Sequence, residues 1–356
     1  MLHARLSTGE LLAAIPAILG FRPADSVVFL AFTDQPDGTR RLHVAGRADL
    51  ADVVHGPPDH LATCLAPMVG DQLLASLVCV VVHKRQGTDL PYRDELALVA
   101  DSFLKHGVRD VELLFLPSFD TGVTWSCYLD RGHTGTLPDV AASAVTAVVV
   151  ASGNRIYSSR AEFTEQFTPA PEQDLAAVAR LVPPHVHAAE LEDLTDDRTA
   201  LSRRLARLEN AITAAEAGDL PHDHATIADL VAAFTSLRIR DSVLVHDSQQ
   251  RARAAEELCL HLWRHAPRHC GIVLAGTIAT MAYLRGDRVA AGLIAETSPN
   301  PDTLTELIMA AVANALHPDK VRDILRRQSR MTRAELTAPL GPRSTPPAVP
   351  ASDQGD

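Results

Sequence analysis

Ser76–Leu116 reads SLVCVVVHKRQGTDLPYRDELALVADSFLKHGVRDVELLFL, and this stretch decides the fold. It begins with a strong strand, Ser76–His83, carrying the apolar run Val78–Val82. From about Tyr92 to His106 the residues Leu96, Val99, Ala100 and Phe103 recur at helical spacing. Asp110–Leu116 is again strand-like. Strand, helix, strand in that order implies a parallel pair joined by a right-handed crossover.

On the N-terminal side, Ser7-Thr-Gly-Glu10 has capping-box spacing and opens a helix with Leu11, Leu12, Ile15 and Leu19 on its core face. Gly20 supplies a left-handed C-cap and Pro23 forbids continuation. Ser26–Thr33 and Leu42–Leu50 read as strands joined by the turn residues Pro36-Asp-Gly-Thr39, a hairpin. A helical stretch near Asp59–Gln72 leads into the crossover unit. Beyond it, Asp120-Thr-Gly122 turns the chain into Val123–Leu129, a second hairpin. The expected fold of this half is α/β, a mixed sheet with two hairpins and a βαβ crossover, helices packed on it.

After an Ala/Val-rich segment, Ser159-Arg-Ala-Glu162 starts a helix that stops near Pro169, and Pro169-Ala-Pro171 marks a boundary. Nearly everything beyond has helical period. Leu191, Leu194, Leu201, Leu205, Leu208 and Ile212 follow a heptad-like spacing interrupted at Arg198. Further helices are expected near Thr226–Leu237, Arg251–His265, Ile272–Leu284, Val289–Glu296, Thr303–Leu316 and Asp319–Arg326. Ala279–Ala295 has the look of one tetratricopeptide-type helix pair. The domains are therefore expected at 1–168 (α/β), 169–336 (all-helical) and 337–356, a proline-rich disordered tail.

Composition narrows the function classes. The 356 residues are 46% hydrophobic and 22% charged, with a formal net charge of -11. That charge argues against a dominant nucleic-acid surface, which needs concentrated Lys and Arg. Cys64, Cys79, Cys127, Cys259 and Cys270 are scattered without a C-x-x-C pair, as suits reduced thiols. The longest uncharged stretches, Val140–Asn154 and His269–Leu284, fall short of the ~18 to 20 residues that span a bilayer. Glu10 and Pro16 spoil the N-terminal apolar stretch as an export signal. A cytoplasmic protein without membrane segments is expected.

Several segments carry a family resemblance. They are Leu11–Phe29 (LLAAIPAILGFRPADSVVF), Arg47-Ala-Asp-Leu50, Trp125-Ser-Cys-Tyr128, Ser158-Ser-Arg160, Arg238-Ile-Arg-Asp241 and Ala282-Tyr-Leu-Arg-Gly-Asp287. In this order they resemble the actinobacterial family called domain of unknown function 4192, up to about Leu325. Relatives often carry a Cys/Pro-rich stretch where this chain has Asp130-Arg-Gly-His-Thr-Gly135. A metal or redox site built there in relatives would be missing here. The resemblance implies the architecture and no activity.

No phosphate loop, dinucleotide fingerprint, nucleophile elbow or zinc helix is present, and neither a catalytic residue nor a cofactor is expected. Arg22, Asp25 and Ser26 precede the first strand, and Arg47 and Asp49 end its hairpin partner. Antiparallel pairing should bring these clusters to one sheet edge, as an anion clamp or as an ion pair locking the corner. Ligands of open α/β sheets favour the carboxyl ends of parallel strands. Here those ends carry His83-Lys-Arg85 and Pro117-Ser-Phe119, with Trp125 placed to wall a crevice.

His261 with His265, His185 with His187, and His222 with His224 offer ligand spacings, yet no third ligand sits at a recognised distance; no metal site is expected. Two functional readings follow. In the first, a non-enzymatic binding or regulatory protein engages a protein partner, or a second copy of itself, through the helical half. In the second, the α/β half binds or transforms a small anionic ligand through Arg22, Asp25, Ser26, Arg47, Asp49 and Trp125.

Overall fold

A computed structural model describes residues 6–69, 75–84, 89–151, 154–296, 300–314 and 316–338. The first helix, α1 (Thr8–Leu19), has the expected capping box, with the Ser7 hydroxyl and the Glu10 carboxylate each closing a free amide, and ends at Gly20 with φ 80°. β1 (Ser26–Asp34) and β2 (Arg40–Asp49) form the first hairpin, with Ser26 opposite Asp49 and Val28 opposite Arg47. Two short helices, α2 (Leu50–His55) and α3 (His60–Val69), precede the crossover unit. That unit is β3 (Ser76–Val82), α4 (Arg93–Lys105) and β4 (Val111–Leu116), with β3 and β4 parallel. β5 (Thr124–Cys127) and β6 (Thr134–Thr136) finish the sheet, each antiparallel to its predecessor.

The six strands stand in the order β2-β1-β3-β4-β5-β6, so the sheet is mixed and β2 is an edge. β1 pairs antiparallel with both β2 and β3. On one face Val27, Phe29, Leu77, Cys79, Val81 and Phe115 pack with residues of α2, α3 and α4 into a single core. The alternate residues Val28, Leu30, Val80 and Leu114 are also fully buried, which explains why the central strands read as continuous apolar runs. β2 is only half-buried along its length, as an edge strand should be. α5 (Ala144–Ala151) and α6 (Arg160–Glu165) follow.

From Pro171 on the chain is helical: α7 (Glu172–Leu194), α8 (Arg198–Glu216), α9 (His224–Ala233), α10 (Leu237–Ser242), α11 (Gln249–His265), α12 (Arg268–Arg285), α13 (Arg288–Glu296), α14 (Thr303–Ala313) and α15 (Pro318–Thr337). Two compact units emerge. One holds the described residues up to Ala170 together with Ala275–Val321; the other holds Pro171–Leu274 and the described residues from Arg322 on. The expected domain division therefore needs a correction. Its break near 168 lies two residues from the observed one, but α13, α14 and most of α12 belong with the α/β unit. These helices carry apolar faces like any others, and the sequence does not say what each face meets. The pair resembling a tetratricopeptide unit, joined at Gly286 with φ 93°, lies wholly in the first unit.

The heptad-like seam is likewise divided. The chain leaves α7 at Thr195 and re-enters a helix at Arg198, with Asp197 accepting from the Ala200 amide as N-cap. Leu201, Leu205, Leu208 and Ile212 are buried within the second unit, whereas Leu191 and Leu194 are exposed. Most of the expected proline-rich tail, from Pro339, lies outside the described residues. Among the described residues no helix is long and apolar enough to cross a membrane.

Candidate functional site

The antiparallel register of β1 and β2 assembles the corner the sequence pointed to. Ser26 lies opposite both Asp49 of β2 and Val82 of β3, so the hairpin's open end and the carboxyl end of β3 are the same end of the sheet. The Ser26 hydroxyl donates to the Ala24 carbonyl (2.6 Å) and accepts from Arg47 Nε (2.9 Å). Arg47 also pairs with Asp49, two residues along and on the same strand face, through one short contact. That hydrogen bond holds the Asp49 carboxyl below the usual carboxylate range. Asp25 adopts a left-handed conformation (φ 46°); its carbonyl accepts from the Leu50 amide at the start of α2 (2.9 Å). Its carboxylate faces His83 Nδ1 at 2.7 Å. Four of the expected residues, Asp25, Ser26, Arg47 and Asp49, thus meet.

Two do not join them. Arg22 is exposed; its amide donates to the Tyr157 carbonyl, and its side chain has no partner among the described residues. Trp125 sits on β5, four strand spacings from β2, or roughly 19 Å across the sheet. It is 6% exposed, and Gly135 of β6 covers it so closely that a Cβ there would stand 2.8 Å from the indole. Trp125 is a core residue of the far edge and walls no crevice with Arg47. Arg85, of the basic trio after β3, lies outside the described residues.

Around the outer edge of β2 runs a cleft of about 370 Å³. Five consecutive residues, Val44–Ala48, line it. Successive side chains of a strand point to opposite faces, so consecutive lining means the cleft follows the strand's edge. α1 contributes Leu19, α3 contributes Leu61, Cys64 and Leu65, and α13 contributes Arg288, Val289, Gly292 and Leu293. Phe21, Phe29, Arg160 and Val312 also line it. A second cavity of about 270 Å³ shares Arg47, Ala48 and Leu61, and adds Asp49, Asp52 and His60.

The charges in the larger cleft are one-sided. Arg47, Arg160 and Arg288 line it and no carboxylate does. Arg47 has Asp49 as counter-ion, but Arg160 and Arg288 have no carboxylate within ion-pair distance among the described residues. Arg288 is half-buried, and its Nη2 donates to the Leu316 carbonyl (3.1 Å), which also accepts from the Tyr283 hydroxyl (2.7 Å). Burial, with a smaller contribution from Arg41, lowers the Arg288 pKa from its ordinary value. At the rim Cys64, the one exposed cysteine of the chain, has its Sγ 3.8 Å from His60 Nε2.

Sequence reasoning missed Arg160, Arg288, Cys64 and His60. A signal did exist for two of them: Arg160 ends the Ser158–Arg160 segment, and Arg288 follows the Ala282–Asp287 segment, both of which carry the family resemblance. At least one member of each histidine pair is otherwise engaged. His261 Nε2 donates to the Pro221 carbonyl (2.8 Å), His185 faces Asp229 (3.3 Å) and His224 faces Asp174 (3.2 Å). Among the described residues, no three His, Cys, Asp or Glu side chains stand close enough to hold a metal ion.

The model of a family described as a domain of unknown function (DUF4192) matches residues 9–325. No curated protein matches, and no solved structure does.

Proposed function

The chain belongs to the family described as a domain of unknown function (DUF4192), and we propose that its first unit binds a small anion with an apolar body in the cleft along β2. One observation carries this reading. Arg288 is desolvated at the cleft wall with a backbone carbonyl as its hydrogen-bond partner and no carboxylate in reach among the described residues. A buried charge is costly unless paired, so the site is incomplete without an anion. Arg47 and Arg160 add positive charge, while the partly exposed Val44, Leu61, Val289 and Leu293 give the ligand's body an apolar bed. The volume falls within the ~300 to 1,000 Å³ of small-ligand clefts.

Isothermal titration with decanoate, decyl phosphate, decanol and decylammonium tests it. The two anions should bind, decanol weakly, and decylammonium not at all. Arg288→Gln should weaken anion binding by about tenfold to a hundredfold, the value of a charge-assisted hydrogen bond. Equal binding of the ammonium, or an unaffected Arg288→Gln variant, would overturn the reading.

A second reading, protein contact through the second unit, draws on Leu191, Leu194 and Leu237, exposed by 52%, 85% and 56%. The Asp196–Arg238 ion pair (2.7 Å) tethers the chain just after Leu194 to the chain at Leu237. Such a patch suits a second copy of the chain. Light scattering should then find a dimer that Leu194→Glu converts to monomer; a wild-type monomer at every concentration rules this out.

A further inference from the structure

Gly46 sits in the middle of β2 and Gly292 in the middle of α13, and both line the cleft. A glycine inside a strand or helix is destabilising, and it is retained where the backbone needs a positive φ or where something approaches closely. Neither glycine has a positive φ. A Cβ built on Gly292 meets nothing within 4 Å, and one built on Gly46 meets only Phe29 Cδ2, at an ordinary 3.8 Å. The packing of the chain itself therefore asks for glycine at neither position. Gly135, by contrast, is demanded by Trp125 at 2.8 Å.

Phe21 and Phe29 also line this cleft, each almost wholly buried, so the width beside them is set by the glycine backbone. Phe29 stands directly across from Gly46 in the strand register. The missing side chain leaves the cleft wide at the level of that ring. A linear chain needs little width, whereas a ring system needs room.

We propose that Gly46 and Gly292 are specificity-determining residues that hold the cleft open for an anion whose body is an aromatic ring system. This rests on the anion-binding reading above and names its ligand class. In the bound state the ring lies against the glycine backbone, with its carboxylate or phosphate on Arg288.

The test uses the full chain, with 2-naphthoate and decanoate as probes, and the variants Gly292→Ala, Gly292→Leu and Gly46→Ala. Wild type should prefer 2-naphthoate. Gly292→Ala should raise Tm, because alanine is the better helix former and finds empty space. Gly292→Leu should retain the wild-type Tm or exceed it, yet lose about tenfold or more of its affinity for 2-naphthoate. Its affinity for decanoate should fall less. A fall in Tm for Gly292→Ala and Gly46→Ala would show that the glycines serve packing and overturn the proposal. So would unchanged naphthoate affinity in Gly292→Leu, or equal losses for both probes. If neither anion binds wild type, the anion-binding reading itself falls, which is a different result from binding that ignores the glycines.

Discussion

Arginine is handled in opposite ways in two regions of this molecule. In the second unit the most deeply buried guanidiniums, Arg204 and Arg240, and half-buried Arg251 have carboxylate partners. Arg204, 3% exposed, holds Glu192 through two parallel hydrogen bonds (2.8 and 2.9 Å) and approaches Asp229 at 3.5 Å. Arg251 pairs with Glu209 and with Glu216 (2.9 Å), and Arg240 with Asp241 (2.7 Å). In the first unit, half-buried Arg288 in the cleft along β2 has no such partner among the described residues. Burying a charge costs the same in either place. Where the protein supplies the counter-ion, the arginine is part of the scaffold; where it does not, the counter-ion has to come from outside.

The largest effect should come from breaking the internal pairing. Arg204→Ala removes a buried guanidinium and leaves half-buried Glu192 without its cation, while Asp229 keeps Arg207 at 2.8 Å. Loss of one partner of a buried pair costs about 3 to 5 kcal/mol, measurable as a lower urea midpoint. A loss under about 1 kcal/mol would mean that the network is no scaffold, and the contrast with β2 would lose its meaning.

The far edge of the sheet gives the next effect. Gly135→Ala drives a methyl into the Trp125 indole, with backbone on one side and a buried ring on the other. Overpacking of this kind costs about 1 to 3 kcal/mol. Anion binding at β2 should be unchanged, since Trp125 and Arg47 belong to different parts of the sheet. A coupled loss of binding would reunite the two regions the structure separates.

These two substitutions also mark what could be read in advance. Caps, turns and strand runs are local, so the α1 capping box, the Gly20 cap and the succession of strands along the chain up to β5 were legible residue by residue. The corner of Asp25, Ser26, Arg47 and Asp49 was legible because one antiparallel register fixes all four. Arg288 was not. It reaches the cleft only because α13 packs with the α/β unit, and an amphipathic helix does not announce which face of which domain it will cover. Trp125 misled for a related reason: its strand was correctly placed, but its distance from Arg47 depends on strand order, which sequence leaves open.

A smaller effect concerns pH and the second unit alone. Burial lowers the pKa of His246; Arg251 and Arg333 push the same way, and Glu209 and the Val243 backbone oppose. Its folded-state pKa therefore lies below the ordinary ~6.5, and the unfolded chain takes up the proton first. The stability His246 contributes is intact above that value and is lost as pH falls through it. Urea midpoints measured from about pH 7.5 down to about pH 5.5 should decline less in His246→Gln than in wild type. Parallel declines would assign the pH dependence to other groups.

The smallest stability effect should follow Arg288→Met, and it is the sharpest test of the contrast. The substitution removes a desolvated cation without orphaning any carboxylate among the described residues. The Leu316 carbonyl it served keeps the Tyr283 hydroxyl as donor at 2.7 Å. Methionine preserves an unbranched apolar stem against the cleft wall. The net change should lie within about 1 kcal/mol of zero and favour the variant, because replacing a costly buried charge by an apolar group of similar volume is neutral or stabilising. The same variant should lose the anion that the wild type binds. Destabilisation on the scale of Arg204→Ala would place Arg288 with the scaffold arginines, and the cleft along β2 would then lose the desolvated charge that the anion reading rests on.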